Sequence, residues 1–204
     1  MSAAWGIVVA GGRGDRFGGP KQLELLGGEP LWEWARRSLL DGGVSEVVVV
    51  GEMAGAVAPG ARRRDSVAAG LAEVPDDVPF VLVHDAARPL ATPALVERVL
   101  ERLRRGDVIG VIPGTAVRDA TKRVEGERVV AAVPRDDLIS VQTPQGFVTA
   151  ALREAHDTVM GDAPDDAEMV AAAGGVVVFV DGEVTNLKVT VSDDLRLVEA
   201  IHAS

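Results

Sequence analysis

Val44–Val50 is a nearly unbroken valine run, the pattern of a strand covered on both faces. Such a strand needs helices on each side of its sheet, and the flanking segments supply them. Trp5–Ala10 reads as a first strand. Pro30–Leu40 reads as a helix, with Pro30 near its start and Gly42-Gly43 closing it. Ser66–Val74 reads as another helix and Phe80–Val83 as a short strand. Thr92 as N-cap and Pro93 at the first helical position open a helix running to about Arg105. Asp107–Ile112 is a further strand. The rhythm predicts an α/β fold, a Rossmann-like open, mostly parallel sheet flanked by helices.

The rhythm then changes. Thr115–Lys122 and Arg128–Val133 read as extended runs around Glu125-Gly126-Glu127, a hairpin signal with Gly126 at the turn. Either it extends the main sheet or it projects as a β-hairpin arm, residues 114–135, that pairs with another subunit. Helices near Thr149–Val159 and Asp165–Ala173, the strand Val176–Val180 and a closing helix near Asp193–Ala203 complete the chain.

Composition narrows the class. At 204 residues the chain is expected to be one domain, 1–204, able to bury a substantial core. It is 47% hydrophobic but only 3% aromatic, so Val, Leu, Ile and Ala must fill that core. It has no cysteine, which excludes disulfides and thiolate metal sites. His84, His156 and His202 are too scattered to suggest zinc. Met1-Ser2-Ala3-Ala4-Trp5 leads directly into the first strand, and no apolar run reaches transmembrane length. A cytoplasmic protein with no membrane partner is expected. The formal charge of -10 argues against nucleic acid as a partner.

Against that charge, one loop gathers cations. Ile7–Ala10 feeds into a segment ending at Gln22 that holds five glycines together with Arg13, Arg16 and Lys21. Glycines let backbone N–H groups approach phosphate oxygens, and the cations add charge, so the loop suits a polyphosphate. It is not a Walker A loop, because Lys21 follows Pro20 and precedes Gln22. Nor does it fit a dinucleotide fingerprint, because Gly18-Gly19-Pro20 blocks an immediate helix.

In open α/β sheets ligands bind beyond the carboxyl ends of the strands. His84-Asp85-Ala86-Ala87-Arg88-Pro89 lies at such an end. Asp85 there suits a ribose hydroxyl or a divalent metal, or else an ion pair to Arg88 or a helix cap. Asn186-Leu187-Lys188-Val189-Thr190 places Lys188 inside a run that otherwise reads as apolar strand. Gln142-Thr143-Pro144-Gln145 offers amide and hydroxyl groups, or a structural turn. Arg62-Arg63-Arg64-Asp65-Ser66 heads a helix, where N–H groups favour anions, although such runs are commonly solvated.

Together these segments, with Val117-Arg118-Asp119, resemble the 2-C-methyl-D-erythritol 4-phosphate cytidylyltransferase family of the non-mevalonate isoprenoid pathway. The resemblance runs from about Trp5 to Ile201. It implies a nucleotidyltransferase-type fold and a reaction in which CTP and a sugar-alcohol phosphate give a CDP-linked alcohol and pyrophosphate. It implies that Arg16 and Lys21 stabilise the transition state and that Arg135 and Lys188 orient the acceptor phosphate. The nucleotide would lie on Ala10, Gly11, Gly12, Gly14, Gly60, Ser66 and Asp85. The acceptor would meet Arg88, Asp119, Thr121, Arg135, Thr143 and Lys188. Mg²⁺ would bridge the phosphates near Asp85, and Arg135 would come from the neighbouring subunit of a homodimer joined through the arm.

The chain departs from the family pattern at Ala120 after Asp119, at Pro164 before Asp165-Asp166, and in a short Gly51–Gly60 segment without the usual helix. The first two touch the acceptor side. A ribitol-5-phosphate cytidylyltransferase is therefore the near alternative, and a non-catalytic CTP-binding protein of the same fold the distant one.

Overall fold

A computed structural model describes residues 3–161 and 163–203. Met1 and Ser2, on which part of the leader reading rests, lie outside the described residues.

The chain runs through β1 (Ala4–Ala10), β2 (Leu25–Leu26), β3 (Glu29–Pro30), α1 (Leu31–Asp41), β4 (Glu46–Gly51), α2 (Arg63–Ala72), β5 (Phe80–Asp85) and α3 (Pro93–Leu103). It continues through β6 (Gly110–Ala116), β7 (Thr121–Glu125), β8 (Arg128–Val133), β9 (Ile139–Val141), β10 (Gln145–Val148), α4 (Thr149–Thr158), α5 (Asp166–Ala172), β11 (Val177–Asp181) and α6 (Ser192–His202). The central sheet has seven strands in the order β11-β6-β10-β5-β1-β4, with β9 also on β6. β4, β1, β5, β6 and β11 share one direction, while β10 and β9 run against it.

Both faces of the sheet are covered, and β1 shows how. Val8 packs with Leu39 of α1 and Val96, Val99 and Leu100 of α3. Its neighbour Ile7 packs on the opposite face with Val67 and Leu71 of α2 and Leu152 of α4. Alternate residues of a strand point to opposite faces, so one apolar run feeds two cores. Each such fully buried aliphatic side chain contributes about 1.5–3 kcal/mol relative to exposure. α1 matches this with Leu31, Ala35, Ser38 and Leu39 buried along one stripe. α3 starts as its sequence predicts: Thr92 Oγ1 accepts the Leu95 N–H at 3.2 Å, with Pro93 at the first position.

Several expectations are corrected. The valine run forms β4, but at the sheet edge, so Val47, Val48 and Val49 stay half-buried. No strand pairs beyond β4 among the described residues, while Gly51–Gly60 contains no helix, as its sequence leads one to expect. The loop instead returns over the strand through Gly51 N–H to Val57 O and Val57 N–H to Val49 O, both 2.9 Å. The expected strand Thr115–Lys122 is split, because Gly114–Ala116 pair with β9 while Thr121 begins the separate β7–β8 hairpin. β10 lies between β5 and β6 where only a turn and a helix were expected. The run around Lys188 is no strand; it lies against the end of β5 through Val189 N–H to Ala87 O at 2.8 Å.

β7 and β8 form a two-stranded sheet of their own, with Gly126 at φ +58 in the turn. Val124, Val129 and Val130 of this hairpin are exposed.

Candidate active site

β1 and β5 are parallel neighbours, so Ala10 and Asp85 end on the same side of the sheet. The glycine loop after β1, the residues before and at the start of α2, and the Asn186–Thr190 segment close around these ends. They enclose a cleft of about 490 Å³. Ala10, Gly11, Gly12, Gly14, Gly60, Ser66 and Asp85, the whole expected nucleotide set, line it, as do Arg16, Lys21 and Lys188.

The glycine loop is shaped by its backbone. Gly14 sits at φ +69, and its carbonyl accepts from Phe17 N–H at 2.8 Å and Gly18 N–H at 2.9 Å. A Cβ there would fall 1.7 Å from Gly19 O, so no larger residue fits this turn. Lys21 N–H then donates to Gly19 O at 2.8 Å and starts a 3-10 turn, Lys21–Leu23. Across the cleft, Gly60 N–H donates to Ser66 Oγ at 3.1 Å, and a Gly60 Cβ would fall 2.3 Å from Asp65 Cβ.

Asp85 is the anionic centre. Its Oδ2 accepts from Lys188 Nζ at 2.6 Å and its Oδ1 faces Arg63 Nε at 3.4 Å. Neither Arg88 nor a helix cap takes this carboxylate. Burial opposes the ionised form, but Lys188 and then Arg63 reverse that and hold the carboxyl well below its ordinary 3.8. Lys21 is shifted against its charge. Burial, then the charges of Lys188 and Arg16, lowers its pKa from the ordinary 10.5. Arg16, Lys21 and Lys188, with Arg63 beside them, thus converge on a cleft with one strongly paired carboxylate, an arrangement that a polyphosphate relieves.

Of the arginines at the head of α2, Arg62 stays exposed, as a solvated run would be, but Arg63 and Arg64 are drawn into the fold. Arg62 pairs with Asp65 at 2.8 Å. Arg63 Nη1 donates to the fully buried Asp166 at 2.6 Å. Arg64 donates to the carbonyl of His156 in the last turn of α4 and to those of Val159 and Gly161 just after it. Arg63 and Asp166 belong to the site and were missed as site residues. They lie 103 residues apart, and spacing carries no sign of their pairing.

The expected acceptor residues divide. Lys188 is in the cleft. Thr143 is buried behind it: its hydroxyl accepts the Asp85 N–H at 3.1 Å and lies 2.8 Å from His84 Nδ1. Arg88 donates to Asn186 O at 2.7 Å and Val141 O at 3.2 Å, joining two loops. Thr143 and Arg88 therefore brace the cleft rather than line it. Asp119 and Arg135 are exposed and Thr121 is half-buried, all on or beside the hairpin and away from their own chain's cleft. Arg135 donates to the Arg118 carbonyl.

His84 carries a stability consequence. Its complete burial lowers its pKa from 6.5 to about 4. The unfolded chain therefore binds the extra proton first as pH falls. Stability is expected to be fully present above pH 6.5 and to decline by about 3 kcal/mol towards pH 4. Denaturant unfolding at stepped pH checks this: His84→Asn should flatten the decline, and an equal slope in both proteins would refute the assignment.

Among the described residues no group of three or more His, Cys, Asp or Glu is placed to hold a metal ion. Asp85 offers one carboxylate on the cleft wall. One carboxylate plus phosphate oxygens is a donor set that Mg²⁺ accepts, so the residues fit a metal brought by a nucleotide.

Residues 5–204 match the family model described as IspD: 2-C-methyl-D-erythritol 4-phosphate cytidylyltransferase. A 2-C-methyl-D-erythritol 4-phosphate cytidylyltransferase of Rubrobacter xylanophilus is 38% identical over 224 residues, covering 100% of this chain and 96% of that protein. A bifunctional enzyme IspD/IspF of Nitratidesulfovibrio vulgaris is 39% identical over 227 residues, covering 96% of this chain and 57% of that longer protein. The crystal structure of 2-C-methyl-D-erythritol 4-phosphate cytidylyltransferase from Thermus thermophilus has the same fold, with a TM-score of 0.82 at 38% identity over 97% of this chain and 98% of that one.

Proposed function

Because the chain belongs to the 2-C-methyl-D-erythritol 4-phosphate cytidylyltransferase family, we propose that it joins CTP to 2-C-methyl-D-erythritol 4-phosphate. The products are 4-diphosphocytidyl-2-C-methyl-D-erythritol and pyrophosphate. The observation that carries the reading is the convergence of Arg16, Lys21 and Lys188 on a glycine-walled cleft at the ends of β1 and β5.

The acceptor phosphate oxygen attacks the α-phosphorus of CTP, the bond to the bridging oxygen of the β-phosphate breaks, and pyrophosphate leaves. The nucleophile arrives ionised, so no general base is needed. The protein must hold two anions together and stabilise charge growing on the phosphate oxygens. The glycine loop offers backbone N–H groups to the phosphates. Arg16 and Lys21 meet the developing charge. Lys188, oriented by Asp85, receives the acceptor phosphate. Mg²⁺ bound to CTP would neutralise phosphate charge, with Asp85 Oδ1, which Arg63 holds only at 3.4 Å, as the protein oxygen open to it.

Arg135, Asp119 and Thr121 complete the acceptor side from a second copy. The support is their place on an exposed hairpin bearing exposed valines. The active form is thus a homodimer through the arm. Cytoplasmic location is part of the same reading, since CTP is its co-substrate; among the described residues no helix is long and apolar enough to cross a membrane. The relatives named above carry the erythritol-phosphate name, so the ribitol 5-phosphate alternative is not favoured.

Pyrophosphate release is the direct test. With CTP and Mg²⁺, release is expected with 2-C-methyl-D-erythritol 4-phosphate and not with ribitol 5-phosphate. The opposite preference would reassign the acceptor. CTP binding without turnover on either would make this a binding protein.

A further inference from the structure

Arg63 stands between two carboxylates with unequal hold on it. Its Nη1 donates to Asp166 Oδ2 at 2.6 Å, while its Nε lies 3.4 Å from Asp85 Oδ1. The short bond of Asp85 goes instead to Lys188, 2.6 Å from Oδ2. Asp166, the first residue of α5, is fully buried behind the cleft wall, with His156 Nε2 3.4 Å from its Oδ1. The adjacent Arg64 ties the head of α2 to carbonyls at the C-terminal end of α4. Arg63 therefore has a fixed backbone, and only its side chain can choose between the two acids.

A guanidinium is a planar fork that matches a carboxylate bidentately, and at such a site it outcompetes an ammonium. Freed from Asp166, the fork of Arg63 has Asp85 as its next acceptor. Closing on Asp85, it would take the oxygen that Lys188 now holds. We infer that Asp166 is a positioning residue: by retaining the Nη1 end of Arg63 it reserves Asp85 Oδ2 for Lys188 and so fixes that ammonium in the cleft. The consequence for the acceptor phosphate rests on the function proposed above; the placement of Lys188 does not.

Lys21, Lys122 and Lys188 are the only lysines of the chain, so their ammonium groups can be followed individually by NMR in the full protein without substrates. Lys122, exposed on the hairpin, is the internal reference. In Asp166→Asn the Lys188 signal should move towards that of Lys122. In Arg63→Met/Asp166→Asn, where both the fork and its anchor are gone, it should return to the wild-type position. The double variant also avoids the unpaired buried charge that Arg63→Met alone would leave. In turnover, Asp166→Asn should raise KM for 2-C-methyl-D-erythritol 4-phosphate roughly tenfold with KM for CTP near wild type. A general lesion in packing would not be repaired by removing a second side chain. A Lys188 signal unmoved by Asp166→Asn, or one that the second substitution fails to restore, overturns the positioning role. Wild-type protein inactive on these substrates would overturn the substrate reading alone, and the NMR comparison would still decide the role of Asp166.

Discussion

Lys21→Ala is expected to lower kcat by about 10²–10³-fold, the loss of one preorganised contact to developing charge. Lys21 begins the turn after the glycine loop and lines the cleft, yet its ammonium makes no ion pair among the described residues. Burial, Lys188 and Arg16 all work against its charge. A cation kept at such a cost is suited to gain most when phosphate charge grows beside it. The folded state does not depend on it, so thermal stability should stay within about a degree or two of wild type. The same shift gives a pH signature. Since Lys21 acts as a cation and its pKa lies below 10.5 in the free protein, kcat/KM for CTP should fall on the alkaline side below that value. Lys21→Arg, always charged, should remove that limb even though its fork restores only part of the rate. Steady-state kinetics across pH tests both rate statements; an unchanged rate in Lys21→Ala removes Lys21 from the mechanism.

The legible parts of this molecule are those written locally. β1 and its glycine loop, the Thr92-Pro93 helix start and the Gly126 turn each carry their signal within a few residues. The cations Arg16, Lys21 and Lys188 could be picked out, and so could Asp85, because charge at a strand end or in a glycine loop is unusual. β10 could not be read. Gln145-Gly146-Phe147-Val148 is short and contains a glycine, and it becomes a strand only because β5 and β6 leave a gap for it. The tie from Arg63 to Asp166 was hidden for the same reason, since ion partners far apart in sequence leave no period to detect. Thr143 and Arg88 stood out for their polarity, but which side of the wall they occupy is set by loops from β9 and Asn186 that close only in three dimensions.

Mixing Arg135→Ala with Lys21→Ala, each expected to be nearly inactive alone, should restore activity once subunits exchange. Arg135 follows β8 on an exposed segment, bonded to the carbonyl of Arg118 and absent from the lining of its own cleft. A guanidinium placed there is of use to the acceptor phosphate only if the hairpin reaches another copy. The exposed Val124, Val129 and Val130 give the hairpin an apolar surface to bury in doing so. In a two-fold dimer each arm would serve the opposite cleft, so a mixed dimer holds one site with both residues intact and one with neither. Random exchange of equal amounts makes half the dimers mixed, which predicts recovery to roughly a quarter of wild-type activity. The recovery should depend on protein concentration, and it should vanish when both substitutions are placed in one chain and that chain is mixed with either single variant. Proven exchange without any recovery would mean that each cleft is completed within its own chain, and the arm would then have to fold back onto the cleft from which the structure holds it apart.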